Sequence, residues 1–171
     1  TISLSDLDNP ENYKNIADEN KSFVLLKGLK FESNPVISKE VMDSSIKLAS
    51  HGQSKIYILT KNLKVAGNRL EALYRKAKKA GIIFIKFTDS EPEFFQGEDG
   101  KTCIEFTDEV TKKNFSLTPD ITVVDESIVP SDYLETLAKT FGLNIDCSGF
   151  LQSDNVHRLP AYTNRKGIFV A

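Results

Sequence analysis

An α/β fold built on a parallel sheet is what this sequence predicts, and three observations predict it. Nearly continuous apolar runs at Ser22 to Leu26, Lys55 to Thr60 and Ile82 to Phe87 have the length of strands covered on both faces. Between them lie two stretches with helical periodicity, joined to the strands by short links. Strand, helix, strand, helix, strand in that order implies right-handed crossovers and parallel pairing.

Taken in order, residues 1–20 are polar with a turn signal at Asn9-Pro10, and are expected to form a linker with one short helical turn around Tyr13 to Ala17. The founding βαβ unit runs from Lys21 to Thr60. Its helix has Asn34 placed to cap it and Pro35 at the first helical position. Ile37, Val41, Met42, Ser45, Ile46 and Ala49 make the inner stripe, and Gly52 ends it. In the second helix Leu70, Leu73, Tyr74 and Ala77 recur at i, i+3, i+4 and i+7. Arg69, Arg75, Lys76, Lys78 and Lys79 lie outside, and Gly81 is the stop.

After Phe87 the pattern changes. Turns at Gly97 to Gly100 and Thr111 to Asn114 separate alternating runs at Thr102 to Phe106 and Phe115 to Leu117, which predicts an antiparallel meander. Asp120 to Val124 returns as another apolar strand. A third helix is expected from Pro130-Ser131, with Leu134, Leu137, Ala138 and Phe141 on one face and Gly142 at its end. Asn144 to Lys166 reads as irregular, and Ile168 to Val170 as a last, buried strand. The layout is that of a Rossmann-like FAD/NAD(P)-binding-type domain over 21–171, a central parallel sheet with helices plus a β-meander.

Composition narrows the function. Twenty-two basic against 24 acidic residues leave a net charge of −2, so no field draws the chain to nucleic acid or to anionic lipid. No apolar run is long enough for membrane insertion, and a soluble, cytoplasmic protein is expected. Cys103 and Cys147 lie far apart and outside any C-x-x-C, so neither a disulfide framework nor a zinc site is implied. The apolar run Ile168-Phe169-Val170 stands directly before Ala171, and the chain starts at Thr1; the expectation is a domain cut from a longer protein, truncated at a strand.

A dinucleotide-binding βαβ unit needs glycines in its first turn so that the backbone can approach a pyrophosphate at the helix N-terminus. Here that turn reads Gly28-Leu29-Lys30-Phe31-Glu32-Ser33, with glycine at only the first of three positions. Gly28, Lys30 and Lys61, at the C-terminal ends of parallel strands, are the candidate cofactor-binding residues, set against the simpler reading of solvated loop lysines. Asp125 and Glu126 are adjacent on a strand and so point to opposite faces, which argues against a carboxylate dyad. His51 and His157 read as surface residues, Cys103 as a core or edge residue, and Cys147 as the candidate accessible thiol. No residue stands out as a catalyst, and no metal site is expected.

Two ordered series of residues carry a family resemblance. The first is Tyr57-Ile58-Leu59-Thr60, Gly67, Leu70 to Ala77 and Gly81 to Lys86. The second is Asp120 to Val124, Val129-Pro130-Ser131, Leu137-Ala138, Gly149-Phe150, Leu159-Pro160, Thr163 and Gly167 to Ala171. Together they resemble the middle, NAD-like domain of the A-type flavoprotein of heterodisulfide reductase and its relatives, members of the pyridine nucleotide-disulfide oxidoreductase superfamily. The resemblance implies an electron-transfer component with FAD and iron–sulfur clusters, partnered by the other subunits of a reductase complex. It also implies cluster cysteines at positions that here hold Ile37, Val41 and Met42, and a glycine-containing turn against the flavin that here reads Asp125-Glu126-Ser127. FAD and iron–sulfur are therefore expected in the parent protein and no cofactor in this stretch. Two functions follow: a domain of such an oxidoreductase that transfers electrons in its full-length form, or a cofactor-free structural or interaction domain of a redox complex. Residues 1–171 alone are not expected to be catalytic.

Overall fold

A computed structural model describes residues 1–17, 20–29, 35–63, 65, 69–87, 90–97, 100–125, 129–146, 149–154 and 161–170. The strands are β1 (Ile2–Ser3), β2 (Ser22–Lys27), β3 (Lys55–Thr60), β4 (Ile83–Lys86), β5 (Glu93–Gln96), β6 (Thr102–Thr107), β7 (Asn114–Leu117) and β8 (Ile121–Val124). The helices are α1 (Leu4–Asp8), α2 (Pro10–Ala17), α3 (Pro35–Ser50), α4 (Leu70–Lys79) and α5 (Leu134–Phe141). The chain divides into two compact units, Thr1–Ser127 and Ile128–Ala171.

The first unit holds a five-stranded sheet in the order β1-β8-β2-β3-β4 and a separate three-stranded sheet, β5-β6-β7. Every pairing in the larger sheet is parallel and both pairings in the smaller one are antiparallel. The period of two along β2 explains why its sequence is apolar throughout. Phe23 and Leu25 join Ile56, Ile58 and Val123 in a core with Val41, Met42 and Leu48 of α3 and Leu70 and Ala77 of α4. Val24 and Leu26 point the other way, into a second core with Leu59, Phe87, Ile104 and Phe106. The sheet is thus covered by helices on one face and by the meander on the other. Full burial of Phe23 and Leu25, 0% and 1% exposed, is worth about 1.5–3 kcal/mol each.

α3 starts with Pro35 as expected, while its expected cap Asn34 lies outside the described residues. α4 buries Leu70 and Ala77 and keeps Lys76, Lys78 and Lys79 in its last turn, where cations favour the helix dipole. The return strand β8 inserts beside β2 rather than at the far edge, and Asp120 fixes its start. The Asp120 carboxylate accepts from the Ser22 N–H at 2.9 Å, the Ser22 hydroxyl at 2.8 Å and the Lys101 ammonium at 2.7 Å.

Residues 1–17 correct the expectation of a linker. Ser3 and Asp6 form a reciprocal capping box, with Ser3 Oγ accepting from the Asp6 N–H and Asp6 Oδ2 from the Ser3 N–H, both at 3.1 Å. β1 pairs in parallel with Val123 and Val124 of β8, and Leu4 and Leu7 are buried. Tyr13 is 7% exposed, its hydroxyl lies 3.0 Å from His51 Nδ1 and the Lys47 ammonium sits 4.0 Å from its ring centre. Asn9 Oδ1 accepts from the Glu11 N–H at 3.0 Å, which opens α2 at Pro10.

In the second unit α5 begins at Leu134, three residues after the expected Ser131, and ends at Gly142 in the left-handed region with φ 63°. The Gly142 carbonyl accepts from Asn164 Nδ2 at 3.0 Å and Arg165 Nε at 3.2 Å. The expected final strand over Ile168 to Val170 is not a strand. Phe169 makes one isolated antiparallel bridge with Tyr162, their rings meet edge to face at 4.9 Å, and Phe169 is 59% exposed. An apolar run becomes a strand only when a partner extends beside it, and here the pairing stops at one bridge.

Candidate functional site

In an open parallel sheet, ligands bind beyond the carboxyl ends of the strands where the chain order reverses. From β2 the chain moves to β3 and β4 on one side and comes back as β8 on the other, so the reversal lies between β2 and β8. Leu26 is level with Val124, which brings Gly28 and Asp125 together just past the strand ends.

Gly28 is buried and has φ 72°, a backbone conformation that side chains with a Cβ resist. Its N–H points at β8 and donates to Asp125 Oδ2 at 2.8 Å. The Asp125 N–H in turn donates to the Leu26 carbonyl at 3.1 Å, so the two strand ends are tied in both directions. Burial pushes the Asp125 carboxyl above its ordinary range; the Gly28 N–H, its own backbone N–H and the Lys27 charge pull it the other way. Lys27 itself is 2% exposed and is paired in register with Thr60, which is equally buried.

The structure separates the three candidates named from sequence. Gly28 stands in the switch crevice. Lys61 follows β3, partly exposed, next to the turn in which the Thr60 hydroxyl donates to the Asn62 carbonyl at 3.0 Å. Lys30 lies outside the described residues, as do Ser33, Glu126, Cys147 and His157. Sequence reasoning places Asp125 only as half of a dyad or as part of a displaced flavin turn. Its contact with Gly28 spans 97 residues of sequence, and only the register of β2 on β8 creates it.

The donor set can be weighed against the groups that the family resemblance implies. The N–H that a pyrophosphate oxygen would need from Gly28 is engaged by the chain's own carboxylate, and no second glycine follows in the turn. A dinucleotide does not fit that arrangement. Ile37, Val41 and Met42 are all buried in the α3 core and carry no thiolate, so an iron–sulfur cluster does not fit there either. Among the described residues no group of His, Cys, Asp and Glu is placed to hold a metal ion. Cys103 is partly exposed on the meander, its sulfur 3.0 Å from the Ser116 hydroxyl, and His51 is held at the end of α3 by Tyr13. Among the described residues no helix is long and apolar enough to cross a membrane.

No family model and no curated protein matches this sequence. Solved structures do. T. acidophilum thioredoxin reductase aligns over 99% of this chain and 48% of its own, with a TM-score of 0.56 at 15% identity. Thioredoxin reductase from Lactococcus lactis in its FR conformation aligns over 88% of this chain and 43% of its own, at TM-score 0.48 and 20% identity. The enzyme from Streptococcus pyogenes MGAS5005 aligns over 88% and 43%, at 0.47 and 16%. This chain therefore spans about half the length of the thioredoxin reductases it matches. The shared feature is the fold: a Rossmann-like α/β domain with a parallel sheet and a separate antiparallel meander.

Proposed function

We propose that this chain is a domain of an oxidoreductase like the A-type flavoprotein of heterodisulfide reductase, acting in electron transfer within a longer cytoplasmic protein and its reductase complex. Within that protein it is a cofactor-free structural and interaction domain. The hydrogen bond from Gly28 to Asp125 carries this second half of the reading.

A phosphate oxygen competing for the Gly28 N–H would meet a carboxylate already there. Two unit charges about 4 Å apart repel by about 4 kcal/mol at the effective dielectric of a protein surface. One charge-assisted hydrogen bond returns only about 1.5–3 kcal/mol. The repulsion wins, and the sequence after Gly28 offers no second glycine to permit a close backbone approach. The fold and the ordered residue series support the family half, as do neighbours whose names denote reductases.

The parent reading frame tests the family half. An intact FAD fingerprint upstream and an iron–sulfur ferredoxin motif downstream are expected. A frame with neither contradicts it.

A further inference from the structure

α5 buries only one side of its apolar stripe. Ala138 is 3% exposed and Leu134 is half-buried. On the other side Tyr133, Leu137 and Phe141 are 81%, 46% and 51% exposed. Tyr133 already lies on the helical path, since its carbonyl accepts from the Leu137 N–H at 2.9 Å. The three side chains therefore follow one another at i, i+4 and i+8, in a single row along the helix.

Charge avoids this row along its length. Glu135 and Lys139 each stand two residues from Leu137, about 200° round the helix, and bridge each other there at 3.4 Å. The row is edged instead by Thr136 and Thr140, and the Thr140 hydroxyl is satisfied by the Thr136 carbonyl at 2.8 Å. Two aromatic side chains so exposed leave, with Leu137, about 350 Å² of apolar surface, the size of patch that marks an interaction site. The two ends of the row differ in sign. Asp132 stands just before the first turn. Arg165 closes the last, its Nε donating to the Gly142 carbonyl at 3.2 Å, with Lys166 next to it in the chain. Neither Asp132 nor Arg165 has an ion-pair partner among the described residues.

A row that is uncharged along its length, acidic at one end and basic at the other is complementary to itself run backwards. We infer that α5 is the contact of a symmetric dimer, and that the occupant of this face is a second copy of the chain with its α5 antiparallel. A two-fold axis at Leu137 sets that residue against its counterpart, Tyr133 against the other copy's Phe141, and Asp132 against the other copy's Arg165. The opposed helix dipoles favour the same arrangement. Two such faces with their polar rims make about 1,000 Å², the lower limit of a specific interface, so a dissociation constant of about 10–100 μM is expected. Such a dimer forms whether or not the switch crevice takes a dinucleotide.

Sedimentation equilibrium of the whole chain, from about 5 μM to about 1 mM, measures the association directly. A reversible monomer–dimer equilibrium is expected. Leu137→Glu sets two carboxylates together on the axis and should weaken it about a hundredfold. A charge exchange tests the ends of the row without touching its apolar centre. Asp132→Lys and Arg165→Glu should each weaken self-association about tenfold, since each puts like charges at both ends of the pair. An equimolar mixture of those two variants should recover the parent's affinity, because the mixed dimer has opposite charges at both ends. A chain that stays monomeric at every concentration, its α5 face left to a different protein, would overturn the inference. So would a dimer that Leu137→Glu leaves intact, or a mixture that associates no more tightly than its components.

Discussion

Replacing Asp125 by alanine removes the acceptor 2.8 Å from the Gly28 N–H. Gly28 is buried, so water does not readily replace the lost partner, and an orphaned buried donor costs about 1–3 kcal/mol. Part of that is offset because the half-buried carboxylate is removed with it; a net loss of about 1–2 kcal/mol is expected. Asparagine tells charge from geometry: its amide oxygen still accepts from Gly28, and the buried charge is gone. Burial raises the folded-state value of Asp125 above that of the unfolded chain. The native state therefore holds more protons between those two values, and stability falls as pH rises through the folded value. Asp125→Asn should accordingly equal or exceed the parent at pH 7. Its advantage should shrink as pH falls toward the unfolded aspartate value of about 3.9. Urea unfolding followed by far-ultraviolet circular dichroism, at neutral pH and at about pH 4, measures both effects. If alanine costs nothing, the Gly28 bond is not made. If asparagine costs as much as alanine at neutral pH, the charge rather than the acceptor holds the strand ends, and the reasoning fails.

Three further outcomes follow. Gly28→Ala, at φ 72°, should lose about 1–2 kcal/mol in the same urea titration, with the loss appearing as a lower midpoint at unchanged slope. Asp120 behaves oppositely to Asp125: the Lys101 ammonium, then the Ser22 N–H and hydroxyl, hold its carboxyl well below the usual range. The stability it gives is present above about pH 4 and lost as pH falls further, so Asp120→Asn should weaken the fold at pH 7 and flatten its acid dependence, by less than about 1 kcal/mol for so exposed a pair. Leu7→Ala, at a residue with 0% exposure, should cost about 2–5 kcal/mol in urea; a loss under about 0.5 kcal/mol would restore the linker description of residues 1–17.

The sequence disclosed the parts of the fold whose signal is local. The run Phe23 to Leu26 is apolar throughout because alternate side chains enter two different cores, and that is legible without knowing what fills them. The spacing of Leu70, Leu73, Tyr74 and Ala77 marks α4 for the same reason. β1 and α1 were hidden because they are two and five residues long, shorter than any periodicity can register. Their one local signal was the pair Ser3 and Asp6 at capping-box spacing, with Leu4 and Leu7 one turn apart. At the other end, Ile168 to Val170 has strand composition but only Tyr162 as a bridging partner to Phe169. Composition states what a segment could pair with, not whether a neighbour is there.

The candidate site was legible by half. Gly28 announced itself as the surviving glycine of a phosphate turn. Its occupant did not, because Asp125 reaches it through the placement of β8 beside β2, a fact of topology.

The central claim, that the chain's own carboxylate closes the switch crevice to a dinucleotide, is tested most directly by calorimetric titration of FAD, NADH and NADPH into the purified chain, with an absorption spectrum of the protein as isolated. The account predicts no binding heat for any of the three and no flavin or cluster absorbance. Micromolar binding of any one of them, at a site lost in Gly28→Ala, would contradict it.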